Sequence, residues 1–95
     1  MPKSTLLNSG RKLIHAWLQL ATKEERMLLA RKAKTSVGYL YQLAGGHRNC
    51  GPALAVRLDR FSRELREKNS LLPVLSRTVL CPKVFDGRNE PGISG

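Results

Sequence analysis

The sequence predicts a small all-α domain of four to five helices that ends in an extended C-terminal arm or short strand. Apolar residues recur at helical spacing in two stretches: Leu13, Ile14, Trp17, Leu18 and Ala21, then Leu54, Ala55, Leu58, Phe61 and Leu65. Between them, Thr22 with Glu25, Ser36, the Gly45-Gly46 pair and Pro52 each mark a helix start or stop. A chain of 95 residues has room for a single hydrophobic core.

Residues 1–8, with Lys3, read as a flexible arm, and Asn8 or Ser9 is placed to cap a first helix running to about Ala21. Trp17, the only Trp, falls on its core face. Thr22 followed three residues later by Glu25 is a capping box, so a second helix starts at about Lys23 and stops near Lys34. It turns Leu29, Ala30 and Ala33 inward and leaves Arg26, Arg31 and Lys32 to solvent. Ser36 caps a third helix from Val37 to about Ala44, with Leu40 and Leu43 inward, and Gly45 and Gly46 supply the positive φ that ends it. Pro52 suits the first position of a fourth helix, whose outer face carries Arg57, Arg60, Arg63, Glu64, Arg66, Glu67 and Lys68. Asn69-Ser70 ends that helix and Pro73 forbids its continuation. Residues 74–80, rich in Val, Leu and Thr, read as a strand or extended arm. The expected organisation is therefore an arm at 1–8, the helical domain at 9–70, a dimerisation arm at 71–87 and a disordered tail at 88–95.

Charge narrows the partners. The net charge is +10, and it is uneven: nine basic and two acidic side chains in residues 1–50, eight and five in residues 51–95. Such a field attracts polyanions, and counterion release turns it into salt-sensitive affinity for nucleic acid. Two short amphipathic helices joined by a four-residue turn in such a chain read as a DNA-binding helix-turn-helix. No apolar run approaches the ~18 residues of a membrane span. The polar and basic residues following Leu6 and Leu7 do not resemble a signal peptide, so a cytoplasmic location is expected, with Cys50 and Cys81 as free thiols. These cysteines, with His15 and His47, lack metal-ligand spacing, and no metal or other cofactor is expected. An enzyme is not expected either: the acidic residues are scattered, and Gly45-Gly46 lacks the Lys and Ser or Thr of a phosphate loop.

The run Leu29-Ala30-Arg31-Lys32-Ala33-Lys34-Thr35-Ser36, then Leu40 and Leu43, then Gly46-His47-Arg48-Asn49, resembles the helix-turn-helix of the phage Cro and lambda-repressor family. Leu80-Cys81-Pro82-Lys83-Val84-Phe85-Asp86-Gly87 resembles the Leu-Arg-Pro-Asp-x-Phe ending of small Cro-like and YdaS-like prophage regulators. Together these cover about 22 to 87. Lys34 stands where the family usually has Gly, Cys81 and Lys83 replace the usual Arg and Asp, and the fourth helix and its linker are longer than in YdaS-like proteins. The resemblance implies a lambda-repressor-like fold and a Cro-like repressor, a homodimer on a paired half-site double-stranded DNA operator. A rival reading is an antitoxin or protein-interaction module that neutralises a cognate toxin, with or without operator binding.

The resemblance also implies roles by position. Ser36, Val37, Gly38, Tyr39, Tyr41 and Gln42 become the base-reading candidates, with Gln42 able to pair its carboxamide with adenine N6 and N7. Lys23, Lys34, Thr35, His47, Arg48 and Asn49 become the phosphate-binding candidates. Leu75, Val79, Val84 and Phe85 are the dimerisation candidates, so a chain cut after Ser70 is expected to stay folded but become mainly monomeric.

Overall fold

The computed structural model describes the backbone of residues 2–82 and the side chains of residues 9–82. It contains five helices, α1 Pro2–Leu20, α2 Lys23–Lys32, α3 Val37–Ala44, α4 Pro52–Lys68 and α5 Arg77–Leu80, with no strand among the described residues. The first helix starts earlier than its sequence signals suggest. Residues 2–8 are helical, not a loose arm, and neither Asn8 nor Ser9 is a cap. Pro2 suits a first helical position, and nothing between it and Gly10 compels a break.

One core joins all five helices. Ile14, Trp17, Leu18 and Ala21 of α1 and its end meet Leu29, Ala30 and Ala33, then Leu40 and Leu43, then Ala55, Leu58 and Leu65. The expected inward faces of the first four helices are thus the buried ones, with Leu13, Leu54 and Phe61 half-buried at the margin. Trp17 is fully enclosed, and its indole Nε1 has no hydrogen-bond partner among the described residues.

Helix ends are satisfied by specific donors and acceptors. At α2, Thr22 Oγ1 accepts from Glu25 N–H at 3.1 Å and Glu25 Oε1 accepts from Thr22 N–H at 2.8 Å, the predicted capping box. These bonds favour the charged form of Glu25 and, against its partial desolvation, hold its carboxyl below the usual range, with help from Asn69. The Asn69 side-chain amide donates to both Glu25 oxygens, so the cap of α2 also ties down the end of α4. Two arginines expected in solvent cap helices from a distance: Arg26 Nη1 donates to the carbonyls of Leu18 and Ala21, and Arg57 Nε to that of Ala33 at 2.7 Å. Both are half-buried, because the carbonyls that end a helix need donors that the backbone cannot supply.

The largest departure concerns residues 71–82. They form no strand and no separate arm. The chain turns at 70–72, runs irregularly to Ser76 and closes as α5, burying Leu72, Leu75 and Leu80 completely or nearly so. β-Branched residues at 74, 78 and 79 favour a strand only where a second strand completes the ladder, and an all-helical fold offers none. Two polar side chains buried on the inner face of α4 hold the segment instead. Ser62 Oγ accepts from Leu75 N–H at 2.9 Å, and Asp59 Oδ2 accepts from Arg77 N–H at 2.8 Å. Asp59 also accepts from Arg63 Nε at 2.6 Å and lies 3.4 Å from Arg77 Nε. On the opposite side α5 packs on α1 so closely that a Cβ at Gly10 would sit 3.3 Å from the carbonyl oxygen of Val79.

Leu75 is therefore corrected from a dimer contact to a core residue, 1% exposed within one chain. Val79 is half-buried against α1, while Val84 and Phe85, with the tail at 88–95, lie outside the described residues. Cys50 and Cys81 are free and half-buried at the edge of the core. Burial pushes the Cys50 thiol up to about 11; the neighbouring Cys81 adds to this and Arg57 opposes it.

Candidate nucleic-acid interface

The site is organised by two turns of the same design. After α2, the N–H of Lys34 bonds the carbonyl of Arg31 and that of Thr35 the carbonyl of Ala30, with Lys34 left-handed at φ 62°. After α3, the N–H of Gly46 bonds Leu43 and that of His47 bonds Gln42, with Gly46 at φ 82°. Both are Schellman motifs, in which one left-handed residue satisfies the last carbonyls and reverses the chain. Gly45, expected to share the positive φ, is right-handed at φ −82°. A single left-handed residue is enough to close such a turn.

Lys34 carries the strain that Gly would avoid. A side chain in the left-handed region costs about 1–2 kcal/mol, and the greater unfolded-state freedom of Gly returns about half of it. Lys34→Gly is expected to stabilise the protein by about 0.5–1 kcal/mol in denaturant titration. A loss of stability would show that the lysine side chain makes contacts that outweigh its backbone strain.

Ser36 then caps α3, its Oγ accepting from Tyr39 N–H at 3.0 Å. Burying Leu40 and Leu43 sets the rotation of this helix and leaves Gly38, Tyr41, Gln42 and Gly45 as a continuous exposed stripe along its outer side. The structure thus divides the six base-reading candidates. Gly38, Tyr41 and Gln42 are exposed, Ser36 is exposed but engaged as a cap, and Val37 and Tyr39 are half-buried against the core. A Cβ at Gly38 would meet only Ser36 Oγ, at 3.9 Å, so internal packing does not require glycine there.

Of the phosphate candidates, Lys23, Lys34, His47, Arg48 and Asn49 are exposed and Thr35 is half-buried. Lys34 and Thr35 flank the start of α3, His47, Arg48 and Asn49 flank its end, and Lys23 opens α2. Arg48 is more than a neighbour of the stripe: its Nε donates to Gln42 Oε1 at 3.1 Å.

Sequence reasoning missed a contribution from α1. The Arg11 guanidinium lies against the turn at Gly46, where an added Cβ would be 2.8 Å from its Cζ. Arg11 shares one cleft with Arg48 and Asn49, and with Lys12 and His15 it borders Ala44 at the end of α3. The i, i+1, i+4 spacing of Arg11, Lys12 and His15 marks one helix face, but only the packing of α1 on α3 reveals which element it adjoins.

Conversely, not all of the positive charge faces this surface. Arg26, Arg57, Arg63 and Arg77 are engaged with internal carbonyls or with Asp59, and Lys32 lies 3.9 Å from Glu64 and over the ring of Phe61. No group of three or more His, Cys, Asp or Glu among the described residues is arranged to hold a metal, and no described helix is long and apolar enough to cross a membrane. Comparison with protein-family models, with curated proteins and with solved structures finds no match.

Proposed function

We propose that the protein is a sequence-specific, double-stranded DNA-binding transcriptional regulator: a Cro-like repressor with a lambda-repressor-like helix-turn-helix. The observation that carries this reading is the exposed stripe Gly38, Tyr41 and Gln42 on a helix fixed by two Schellman turns, bounded by cationic side chains at both ends. α3 enters the major groove with that stripe toward the base edges. Lys34, Thr35, His47 and Asn49, with Arg11 and Lys12 from α1, lie where phosphates flank the groove and set register. Lys23 adds a cation at the amino-terminus of α2, where a helix attracts anions. Repression follows from occupying an operator and excluding polymerase.

Operators for this motif are paired half-sites about one helical turn apart, which calls for a homodimer. Because Leu75 is internal, the dimer uses other surface, and sedimentation of the intact chain with and without operator reads its assembly state. The alternative, an antitoxin or other protein-binding module, finds its support in three exposed apolar side chains, Leu20, Met27 and Leu71.

Titration of a duplex across salt concentrations tests the main reading. Log affinity is expected to fall with log salt at a slope of about −0.9 for each phosphate neutralised, and a charge-removing substitution at Lys34 should make the slope shallower. Duplex binding that is absent, or indifferent to salt, rejects the proposal and leaves the protein-binding alternative.

A further inference from the structure

Gln42 and Arg48 are six residues apart and separated by the turn at Gly46, yet one hydrogen bond joins them on the outer side of α3. An N–H donor requires an acceptor opposite it, so the carboxamide oxygen faces Arg48 and the Nε2 amino group is directed elsewhere. Among the described residues this is the only hydrogen bond that the Arg48 side chain makes. The guanidinium therefore keeps both Nη groups, and Gln42 keeps its Nε2, for a ligand.

We infer that Gln42 and Arg48 act as one recognition unit that reads guanine, with Arg48 making the base contact and Gln42 both holding it in place and adding a donor. The inference rests on the DNA-binding reading. What the pair shows outward is a positive charge and a set of N–H donors. Guanine presents two acceptors to the major groove, N7 and O6, which the Nη fork of an arginine meets together. Adenine presents one acceptor beside the N6 amino donor, and an amino donor is repelled by a cationic donor array. The bidentate adenine contact open to a free glutamine needs the same oxygen that Arg48 engages here.

Position supports the assignment. Gln42 lies on the exposed stripe, so whatever is bonded to it stands at the same groove, and the Gly46 turn folds the chain back to bring Arg48 there. The carboxy-terminal end of α3, negative by its backbone dipole, favours a cation at that place. The hold on Nε also restricts a long side chain before DNA arrives, which lowers the ordering cost of binding.

The test uses the full chain and duplexes selected from a random pool at fixed salt. Wild type should select one guanine in each half-site, with a loss of about tenfold or more when it becomes adenine. Replacing that guanine by 7-deazaguanine, which removes only the N7 acceptor, should weaken binding several-fold. Arg48→Lys keeps the charge but not the fork, so it should lose both discriminations while its salt slope stays unchanged. Gln42→Glu keeps an acceptor for Nε and should retain the guanine preference, and Gln42→Ala should reduce it. Selection of adenine at this position, or an Arg48→Lys variant as sensitive to 7-deazaguanine as wild type, overturns the inference while operator binding stands. So does an Arg48→Ala variant that loses affinity equally for all duplexes with a slope shallower by about one, since that is a phosphate contact. If wild type bound no duplex, the DNA-binding reading and this inference would fall together.

Discussion

A chain ended at Ser70 is expected not to fold. It lacks Leu72, Leu75 and Leu80, which are 0, 1 and 8% exposed in the intact protein. Burying a leucine is worth about 1.5–3 kcal/mol, so the three together rival the roughly 5–15 kcal/mol that holds a domain of this size. The cut also removes the hydrogen bonds that Ser62 and Asp59 accept from the backbone of Leu75 and Arg77, each worth about 0.5–3 kcal/mol. Thermal unfolding followed by circular dichroism should show a cooperative transition for the intact chain and none for residues 1–70. A fragment with a sharp transition near the full-length midpoint would mean that 71–82 is the dispensable arm its sequence suggests. The single replacement Leu75→Ala, which keeps the segment, should cost about 2–5 kcal/mol and separates packing from simple loss of chain length.

Acid should unfold the protein through Asp59. Burial by itself would raise this carboxyl, but hydrogen bonds from Arg63 and from the backbone and side chain of Arg77 more than compensate and hold it below the usual aspartate range. A carboxyl with a lower pKa folded than unfolded contributes stability that is complete above its unfolded pKa, near 3.8, and that disappears as pH falls through the folded value. Glu25, shifted the same way, acts in the same direction. Unfolding free energy should therefore be flat near neutrality and drop below about pH 4. Asp59→Asn should lose about 1.5–3 kcal/mol at pH 7 and show a shallower acid limb, because Arg63 and Arg77, both partly solvated, then lack their shared carboxylate. An acid limb unchanged in Asp59→Asn would assign the acid sensitivity to other groups.

These two expectations fall in the part of the fold that was least legible. Local rules read the capping box at Thr22 and Glu25, the Ser36 cap, Pro52 and the inward leucines of α3, because each depends on residues within a turn or two of itself. The left-handed Lys34 was marked only by the resemblance, through the Gly that usually stands there, which left open a turn of different shape. Residues 74–80 misled because β-branched composition speaks only for a residue's own backbone preference, whereas α5 is fixed by Asp59 and Ser62, 18 and 13 residues away from their partners. On α4 no local signal marks those two polar residues as buried, since the backbone donors that pair with them come from a later segment. In the candidate site, helical periodicity placed Leu40 and Leu43 inward and the resemblance supplied six candidates at 36–42 without dividing them, but no spacing rule links Gln42 to Arg48 across a turn or brings Arg11 of α1 to Gly46.

The packing of α5 on α1 has a kinetic consequence. Gly10 and Leu80 touch across 70 positions of sequence, whereas the end of α2 and the start of α3, Lys32 and Val37, are five positions apart. A contact between chain neighbours closes a short loop and forms early; one between distant segments must await closure of nearly the whole chain. The pair of helices that presents the stripe is thus the part the nascent fold reaches first, and the clasp between α1 and α5 is the part it reaches last among the described residues. Until that clasp shuts, the inner faces of α1 and α4 are incompletely covered, and a chain that has already shaped α2 and α3 still lacks the core that would keep them.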